Sequence, residues 1–458
     1  MRSLLLVPVT LTALLAAGAA FADDAAVTLC QSLPCPSPAG AASTNAAVTD
    51  NPVTDSNQAI SAGSAFNPAI SLILSGNFYK DSESGKLIAP AGINNLSPNS
   101  LPPPAMDQGF NLDESELVLS ATVDPEFDAS ANFTLDNSGH VEVEEAWFET
   151  RQLPYGLTVR AGKMKSDIGY LNSQHPHTWD FADQNLAYDA LLGGEGIDDA
   201  GLRVEWLPSL PLYTLIGGEA LQGNQDVVGV SQAALGTGST LNAPSEKSGP
   251  RLFTAYIKVS PELGANHALE LGAWGLRAQQ QQEAYGTPGA NQYLLNGTET
   301  IYGLEAVYKY DGGGENGHGN LKLQAEALRG QKNLSVASLS GAPVFASGAA
   351  VADGDNVNSH ELAYYVQAVY GIAPRWQTGL RFDQSGLGSA LSAAGTNTDY
   401  SASKRVSAVV SWNLTEFSRL RAQIARADAV DASNVHQHYN QYFLTYSMAL
   451  GTHGAHKF

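Results

Sequence analysis

Apolar and polar residues alternate in short segments along most of the chain after Pro68. Each segment is about ten residues long, which suits a strand that crosses a membrane, and Gly, Pro, Asn and Asp separate one segment from the next. Because successive side chains of a β-strand point to opposite faces, this alternation predicts an all-β protein. Sixteen segments fit the pattern, at residues 69–79, 114–124, 127–136, 141–151, 157–166, 200–207, 212–221, 251–260, 268–278, 301–310, 321–330, 361–371, 376–384, 405–414, 419–428 and 442–451.

The connections between the segments differ in length in a regular way. Those after even-numbered segments are short turns, whereas those after odd-numbered segments are mostly long, notably 81–108, 167–196, 222–249 and 331–359. Short turns on one side and long loops on the other are typical of an up-and-down barrel with periplasmic turns and external loops. The even number of strands then predicts that both termini lie on the periplasmic side.

The two faces of the predicted strands differ in polarity. In the eleventh segment, Leu321 and Leu323 share one face, whereas Lys322 and Gln324 share the other. A barrel of sixteen strands is too wide for its side chains to fill, so its polar face must line a watery interior and its apolar face must meet lipid. The sequence therefore predicts a transmembrane antiparallel β-barrel of about sixteen strands over residues 66–458.

The N-terminal region has a different texture. A basic residue, an apolar run and small residues at the end predict a cleaved secretory signal peptide over residues 1–22. Residues 23–65 are rich in Ala, Ser, Asn and Pro without periodicity, and they predict a flexible periplasmic leader. Cys30 and Cys35 in this leader are expected to close a small disulfide loop in the oxidising periplasm. Their spacing does not match a haem-attachment or zinc motif.

Composition and charge exclude several classes of function. Charged residues make up only 15% of the chain, whereas about a quarter is usual in soluble domains. The formal net charge of −21 argues against nucleic acid as a partner. The sequence contains neither a Gly-x-Ser-x-Gly nor a His-Glu-x-x-His motif, so we expect no enzymatic activity and no cofactor.

Charged residues of both signs fall on the face that is predicted to line the interior. Acidic residues such as Glu114, Glu116 and Asp128 cluster on early strands, and most of the basic residues lie on later ones. Facing rows of opposite charge set up a transverse field that orients dipolar solutes. The alternative interpretation is that these side chains only solvate the wall and pair across strands. The candidate lining residues are Glu142, Glu144, Glu145, Glu149, Arg160, Lys163, Lys165, Arg203, Lys322, Arg381, Arg405 and Arg421.

Strict alternation breaks at two places, Glu144–Glu145 and Gly162–Lys163. Because one extra residue in a strand reverses the faces that follow it, a β-bulge is expected at one or both places. The residues that such bulges turn inward are Glu145, Glu149, Lys163 and Lys165.

Residues 143–176 resemble the phosphate-selective porin O and P family. The resemblance is carried by an acidic strand with an aromatic pair (Glu145, Trp147 and Phe148), a tight Pro/Gly turn, and the strand Arg160-Ala-Gly-Lys that runs into a long loop. It implies that the side chains of this second strand lie near the pore, and that residues 171–192 fold into the lumen as the constriction. The residues placed near the pore in this way are Arg160, Gly162, Lys163 and Lys165.

Two His-x-His pairs are candidates for metal binding. His175 and His177 lie in the loop that the resemblance places at the constriction, and His436 and His438 lie at the outer end of the last strand. In extended backbone both imidazoles of such a pair share one face, where they could hold a zinc or copper ion. The alternative is that the histidines are only polar packing elements.

Together these patterns predict an outer-membrane porin for the passive diffusion of small polar or charged solutes. The alternative function is an outer-membrane receptor for a transition metal or metallophore that uses the loop histidines. The terminal Phe458 fits the signal that the barrel-assembly machinery reads. The resemblance also suggests a homotrimer, although the sequence shows no interface.

Overall fold

The computed structural model describes residues 67–82, 106–135, 139–225, 227–230, 238–286, 289–345, 348–430 and 434–451. These residues form one antiparallel sheet that closes on itself, because the first strand pairs with the last from Ser71↔Gly451 to Asp81↔Gln441. The signal peptide, the leader with Cys30 and Cys35, and Phe458 lie outside the described residues, so their assignments stay predictions.

The described strands are eighteen in number but form sixteen barrel strands. β2 and β3 both pair with β1, and β15 and β16 both pair with β14, so each of these two couples is one interrupted strand. The predicted sixteen-stranded antiparallel barrel is thus confirmed. The bounds are β1 Ala69–Asp81, β2 Gly109–Leu112, β3 Ser115–Thr122, β4 Phe127–Leu135, β5 Val141–Thr150, β6 Leu157–Lys165, β7 Asp198–Trp206, β8 Tyr213–Leu221, β9 Leu252–Ser260, β10 His267–Gly286, β11 Gln292–Tyr310, β12 Leu321–Ser340, β13 Asn356–Ala373, β14 Trp376–Ala393, β15 Thr396–Tyr400, β16 Ser403–Thr415, β17 Ser418–Val430 and β18 His436–Gly451.

The exposed face of the barrel is apolar and the buried face is largely polar. Along β18, Tyr442 and Leu444 are exposed, whereas Gln441, Phe443 and Thr445 are buried. Most other strands repeat this arrangement, with Leu, Val, Ile and aromatic side chains outside and Glu, Gln, Arg and Ser inside. A water-soluble protein would bury the apolar face, so the outer surface of this barrel is suited to lipid.

Strands β10 to β14 are 18 to 20 residues long, about twice the length of the predicted segments. The added part of β10 contains the run Gln279–Gln282, which shows no alternation of polarity. For this reason the segment predicted from the sequence ended before the strand does. These long strands share a buried cluster that includes Tyr285, Tyr293, Leu334 and Leu391.

A β-bulge lies in β5. In the pairing of β4 with β5, Asn132 faces Glu145 and Phe133 faces Val143, so Glu144 is the extra residue. The bulge predicted at Glu144–Glu145 is therefore confirmed. At Gly162 the pairing of β6 with β7 continues without a shift, and the chain instead adopts a φ of 134°, which favours glycine.

The main described helix is the short α1, Leu186–Leu191, between β6 and β7. It begins after Asn185, whose side-chain oxygen accepts hydrogen bonds from the backbone N–H groups of Ala187 and Tyr188. Within the described ranges, no helix has the length and apolar character that crossing a membrane requires.

Candidate functional site

Residues 166–197, called here the β6–β7 segment, make the contacts that define the site. The segment leaves β6 and re-enters β7 at adjacent positions, since Lys165 pairs with Asp198. A tight turn would suffice to join such neighbours. The segment instead reaches β3 and β5 on one side and β12 to β17 on the other.

On the first side, the two loop histidines meet the acidic strands. His175 Nδ1 lies 3.2 Å from Glu144 Oε2, and its Nε2 lies 3.4 Å from Glu145 Oε2. His177 Nδ1 lies 2.5 Å from Glu116 Oε1. The two imidazole rings stack with centroids 5.8 Å apart, so the His-x-His pair presents both rings to one group of carboxylates.

The charge of His175 follows from this setting. Burial by itself lowers the pKa of His175, but the carboxylates of Glu116 and Glu144 outweigh it and hold that pKa well above its usual range. His175 therefore behaves as a cation among carboxylates at neutral pH when nothing else occupies the group.

On the second side, acidic residues of the segment meet the basic strands. Asp180 Oδ2 lies 2.9 Å from Lys322 Nζ. Asp183 Oδ1 lies 2.6 Å from Arg381 Nη2, and Asp183 Oδ2 lies 2.8 Å from Arg405 Nη1. Burial favours the neutral carboxyl of Asp183, but the two guanidinium groups prevail and hold its pKa below the usual range.

Backbone carbonyl groups of the segment also bind arginines. Arg421 Nη1 donates to the carbonyl oxygen of Phe181 at 2.6 Å, and Arg419 Nη2 donates to the carbonyl oxygen of His177. Because Arg419 and Arg421 alternate with outward residues on β17, both reach the segment from the same face of that strand.

Glu326 on β12 fixes the middle of the segment. Its carboxylate accepts a hydrogen bond from the hydroxyl of Tyr188 at 2.9 Å. It also accepts hydrogen bonds from the backbone N–H groups of Tyr170 and Leu171, both at 3.2 Å. The hydroxyl of Tyr365 on β13 donates to the same carboxylate. A single buried side chain of the wall thus ties two parts of the segment together.

Apolar packing holds the same part of the segment. Ile168 and Leu191 belong to one buried cluster with Trp274, Ile301 and Leu328 of the neighbouring strands. The cluster includes residues of β8 to β13. Apolar burial and dispersion therefore stabilise the segment against these strands, whereas ion pairs hold it against the other walls.

Several candidate lining residues pair with one another rather than with the segment. Arg160 Nε lies 2.7 Å from Glu149 Oε2, and its guanidinium stacks 3.9 Å above the ring of Trp147. On β7 and β8, Arg203 Nε lies 2.8 Å from Glu219 Oε1. These cations lie within the wall and are almost fully buried.

The lysines of β6 have different settings. Lys165 is buried, and its Nζ lies 2.7 Å from Glu144 Oε1. Lys163 lies 3.4 Å from Glu142 Oε1 and 3.2 Å from Asp198 Oδ2, and the side chain of Glu142 is 63% exposed. Glu142 and Lys163 therefore stand apart from the buried group around His175.

The second histidine pair does not join the first. His436 Nδ1 and His438 Nδ1 lie 2.8 Å and 3.4 Å from Asp428 Oδ1. Asp428 is nine residues beyond Arg419 on β17, about 30 Å along an extended strand, and Arg419 is the residue that contacts His177. A receptor site that combines both pairs is therefore not favoured.

The anchors Asp180, Asp183, Tyr188 and Glu326 were missed by the sequence reasoning. Asp180 and Asp183 lie in a loop without periodicity, and Glu326 was one of many polar residues on an inward face. The one available signal was that acidic residues in the loop are complementary to the basic strands, but that signal assigns no partners.

The closed sixteen-stranded barrel, with an apolar exterior and a charged interior, has the fold of outer-membrane porins. The outer membrane channel DcaP of Acinetobacter baumannii superposes with a TM-score of 0.51 and 12% identity, over 84% of this chain and 97% of that chain. The anion-selective porin from Comamonas acidovorans gives a TM-score of 0.47 and 12% identity, over 84% and 99%. At 12% identity, the likeness to DcaP shows a shared fold alone.

A sequence relative defines the family more narrowly. An uncharacterised protein of Aquifex aeolicus (strain VF5) is 32% identical over 405 residues, which cover 86% of this chain and 80% of that protein. The chain belongs to the same family as this Aquifex protein. No protein-family model matches the sequence.

Proposed function

We propose that this protein is an outer-membrane channel for the passive diffusion of small polar or charged solutes. The observation that carries the proposal is the closed barrel whose apolar face is outside and whose charged face is inside. Such a barrel is stable only in lipid, and its polar interior offers water and ions a path that the surrounding bilayer denies them.

The proposal includes a constriction by residues 171–192. The segment contacts Glu116 on one wall and Arg381 and Arg405 on another, and these contacts support a course across the interior of the closed sheet. Solutes must then pass beside the segment, so its side chains and those that hold it decide the size and charge of what passes.

The charges around the segment support a transverse field. Carboxylates lie on β3 and β5, and the cations that bind the segment lie on β12 to β17. In a narrow, partly dehydrated passage opposite charges act over longer distances than in bulk water. We therefore propose that dipolar solutes align as they pass, and that the candidate lining residues act together rather than singly.

Planar-bilayer recording of the purified full-length protein tests this function. We expect steady conductance in salt solution, and a variant in which a short Gly-Ser linker replaces residues 171–192 is expected to conduct more. The adjacent ends at Lys165 and Asp198 allow such a linker to close the hairpin. A barrel that is folded in detergent and conducts in neither form would refute the channel. Equal conductance of both forms would refute the constriction alone.

Export and processing belong to the same proposal. The first 22 residues are proposed to be removed as a signal peptide and residues 23–65 to remain in the periplasm. The intact mass of the protein isolated from outer membranes tests the cleavage after Ala22.

A further inference from the structure

Metal-ligand atoms of four side chains converge where the β6–β7 segment meets the acidic wall. Carboxylate oxygens of Glu114, Glu116 and Glu144 and an imidazole nitrogen of His175 all lie within 4.8 Å of one another. Glu114 lies between β2 and β3, Glu116 lies on β3, and Glu144 is the extra residue of the β5 bulge. The bulge therefore brings the third carboxylate to the group.

The spacing within this group suits a metal ion. His175 Nδ1 lies 3.2 Å from Glu144 Oε2 and 3.6 Å from Glu116 Oε2. Ligand atoms about 2.1 Å from a tetrahedral zinc ion are about 3.4 Å from each other. Small side-chain adjustments would place one ion at bonding distance from all three residues.

Buried polar atoms without hydrogen bonds collect at the same place. Among the described residues, Glu114 Oε1 and Asn132 Oδ1 have no hydrogen-bond partner. Asn132 is only 2% exposed, and its Nδ2 donates to Glu116 Oε2 at 2.8 Å and to Glu144 Oε2 at 3.0 Å. Buried polar atoms in folded proteins are nearly always satisfied, so a group of exceptions points to a bound ion or water.

The charges leave room for a cation. The carboxylates of Glu114, Glu116, Glu144 and Glu145 face one ammonium group, that of Lys165, which lies 2.7 Å from Glu144. The four acidic side chains outnumber the basic side chains that contact them, which are Lys165, His175 and His177. Uncompensated buried charge is costly, and a dication would offset it.

We propose that Glu114, Glu116, Glu144 and His175 form a site for one divalent transition-metal ion that ties the β6–β7 segment to β3 and β5. An imidazole among carboxylates suits zinc, manganese or another first-row ion, whereas calcium and magnesium prefer oxygen ligands alone. His175 binds the ion through Nδ1 as the neutral imidazole. The effect on solute passage rests on the proposed channel function, but the binding itself does not.

Metal titration of the EDTA-treated, full-length barrel in detergent tests the site. We expect zinc to bind at one ion per chain with a dissociation constant of about micromolar or tighter, and cobalt to give a visible absorption band from the same site. His175→Ala and Glu114→Gln are each expected to weaken zinc binding by at least about tenfold. Calcium and magnesium are expected not to displace the zinc.

A matched control separates this site from the other histidine pair. The double variant His436→Ala/His438→Ala removes the pair that contacts Asp428 and should bind zinc like the wild type. Unchanged binding by both His175→Ala and Glu114→Gln, or no binding by the wild type, would overturn the site. In that case protonated His175, rather than a metal ion, would neutralise the neighbouring carboxylates of Glu116 and Glu144.

Two readouts keep the site and the channel distinguishable. The shift of the folded barrel on a denaturing gel without heating shows whether each variant is folded. Glu114→Gln removes no hydrogen bond of Glu114 Oε1, which has none among the described residues. A barrel that conducts steadily but binds no zinc refutes the site and leaves the channel. A barrel that binds zinc through His175 but never conducts refutes the channel and supports the site.

Discussion

Asp183 Oδ2 lies 2.8 Å from Arg405 Nη1, and the other oxygen of the same carboxylate lies 2.6 Å from Arg381 Nη2. One side chain of the β6–β7 segment thereby joins two strands of the opposite wall, β14 and β16. The Asp183 side chain is only 12% exposed, so these ion pairs are far less screened than surface pairs. The relationship makes Asp183 the main ionic anchor of the segment.

Replacing Asp183 with Ala should loosen the segment and destabilise the barrel. The change leaves two buried guanidinium groups without this partner, and breaking a buried ion pair from one side typically costs about 3–5 kcal/mol. We expect a lower urea midpoint in detergent and more frequent fluctuations of the single-channel current.

Asp399→Ala is the matched control for this variant, because Asp399 is an exposed acid on β15. It should change neither measurement. If Asp183→Ala and Asp399→Ala behave alike, Asp183 does not anchor the segment.

The barrel was predictable from the sequence because its signal is local. On β12, Leu323 is exposed and the next residue, Gln324, is buried, and each of the sixteen segments repeats this alternation within about ten residues. Even the bulge at Glu144 left a local trace, since the alternation breaks there.

The contacts of the β6–β7 segment were not predictable in the same way. Asp183 and Arg381 are 198 positions apart, and every inward cation was an equally good partner for an acid in the loop. Which pairs form depends on how the segment packs against Ile301 and Leu328, and this packing follows no sequence period.

Reversing the charge of Arg160 tests whether its neighbourhood faces the ion path. Arg160→Glu places a second carboxylate beside Glu149, which lies 2.7 Å from Arg160 Nε. We expect the reversal potential in a salt gradient to shift toward cation selectivity, because the local potential becomes more negative.

Lys404→Glu provides a control that changes the net charge equally. Lys404 is exposed beside the outward-facing Val406 on β16, whereas Arg160 is buried. Its reversal should leave the reversal potential unchanged. A shift for Lys404→Glu as large as that for Arg160→Glu would mean that the measurement reports overall charge rather than the passage.

Gly162 is expected to be intolerant of any side chain. Its φ is 134°, and an added Cβ would lie 2.1 Å from the carbonyl oxygen of Ala146 on β5. Gly162→Ala should therefore destabilise the barrel by about 1–3 kcal/mol from backbone strain and by a further amount from the clash.

The control for this variant is Gly275→Ala, whose Cβ would lie 3.4 Å from the ring of Tyr302 and 4.0 Å from the carbonyl oxygen of Ile301. Urea titration of both variants in detergent measures the difference. Equal midpoints would show that β5 and β6 can separate at Gly162 without cost.

Asp189 should give the stability of the barrel a pH dependence of unusual sign. Burial raises the pKa of Asp189 to about 7, with Asp183 and Asp383 adding to the shift and Arg405 opposing it. In the unfolded chain an aspartate has a pKa of about 3.9. Between pH 4 and pH 7 the folded state therefore keeps a proton on Asp189 that the unfolded state has lost. The contribution of Asp189 to the free energy of unfolding is therefore most favourable below about pH 4, declines as the pH rises toward 7 and is constant above it.

Asp189→Asn tests this pH dependence, because the amide stays neutral. The urea midpoint of the variant should equal or exceed that of the wild type at pH 8. Between pH 4 and 7 the midpoint of the variant should fall less than that of the wild type. A variant that is less stable than the wild type at pH 8 would show that the carboxylate of Asp189 is stabilised where it stands.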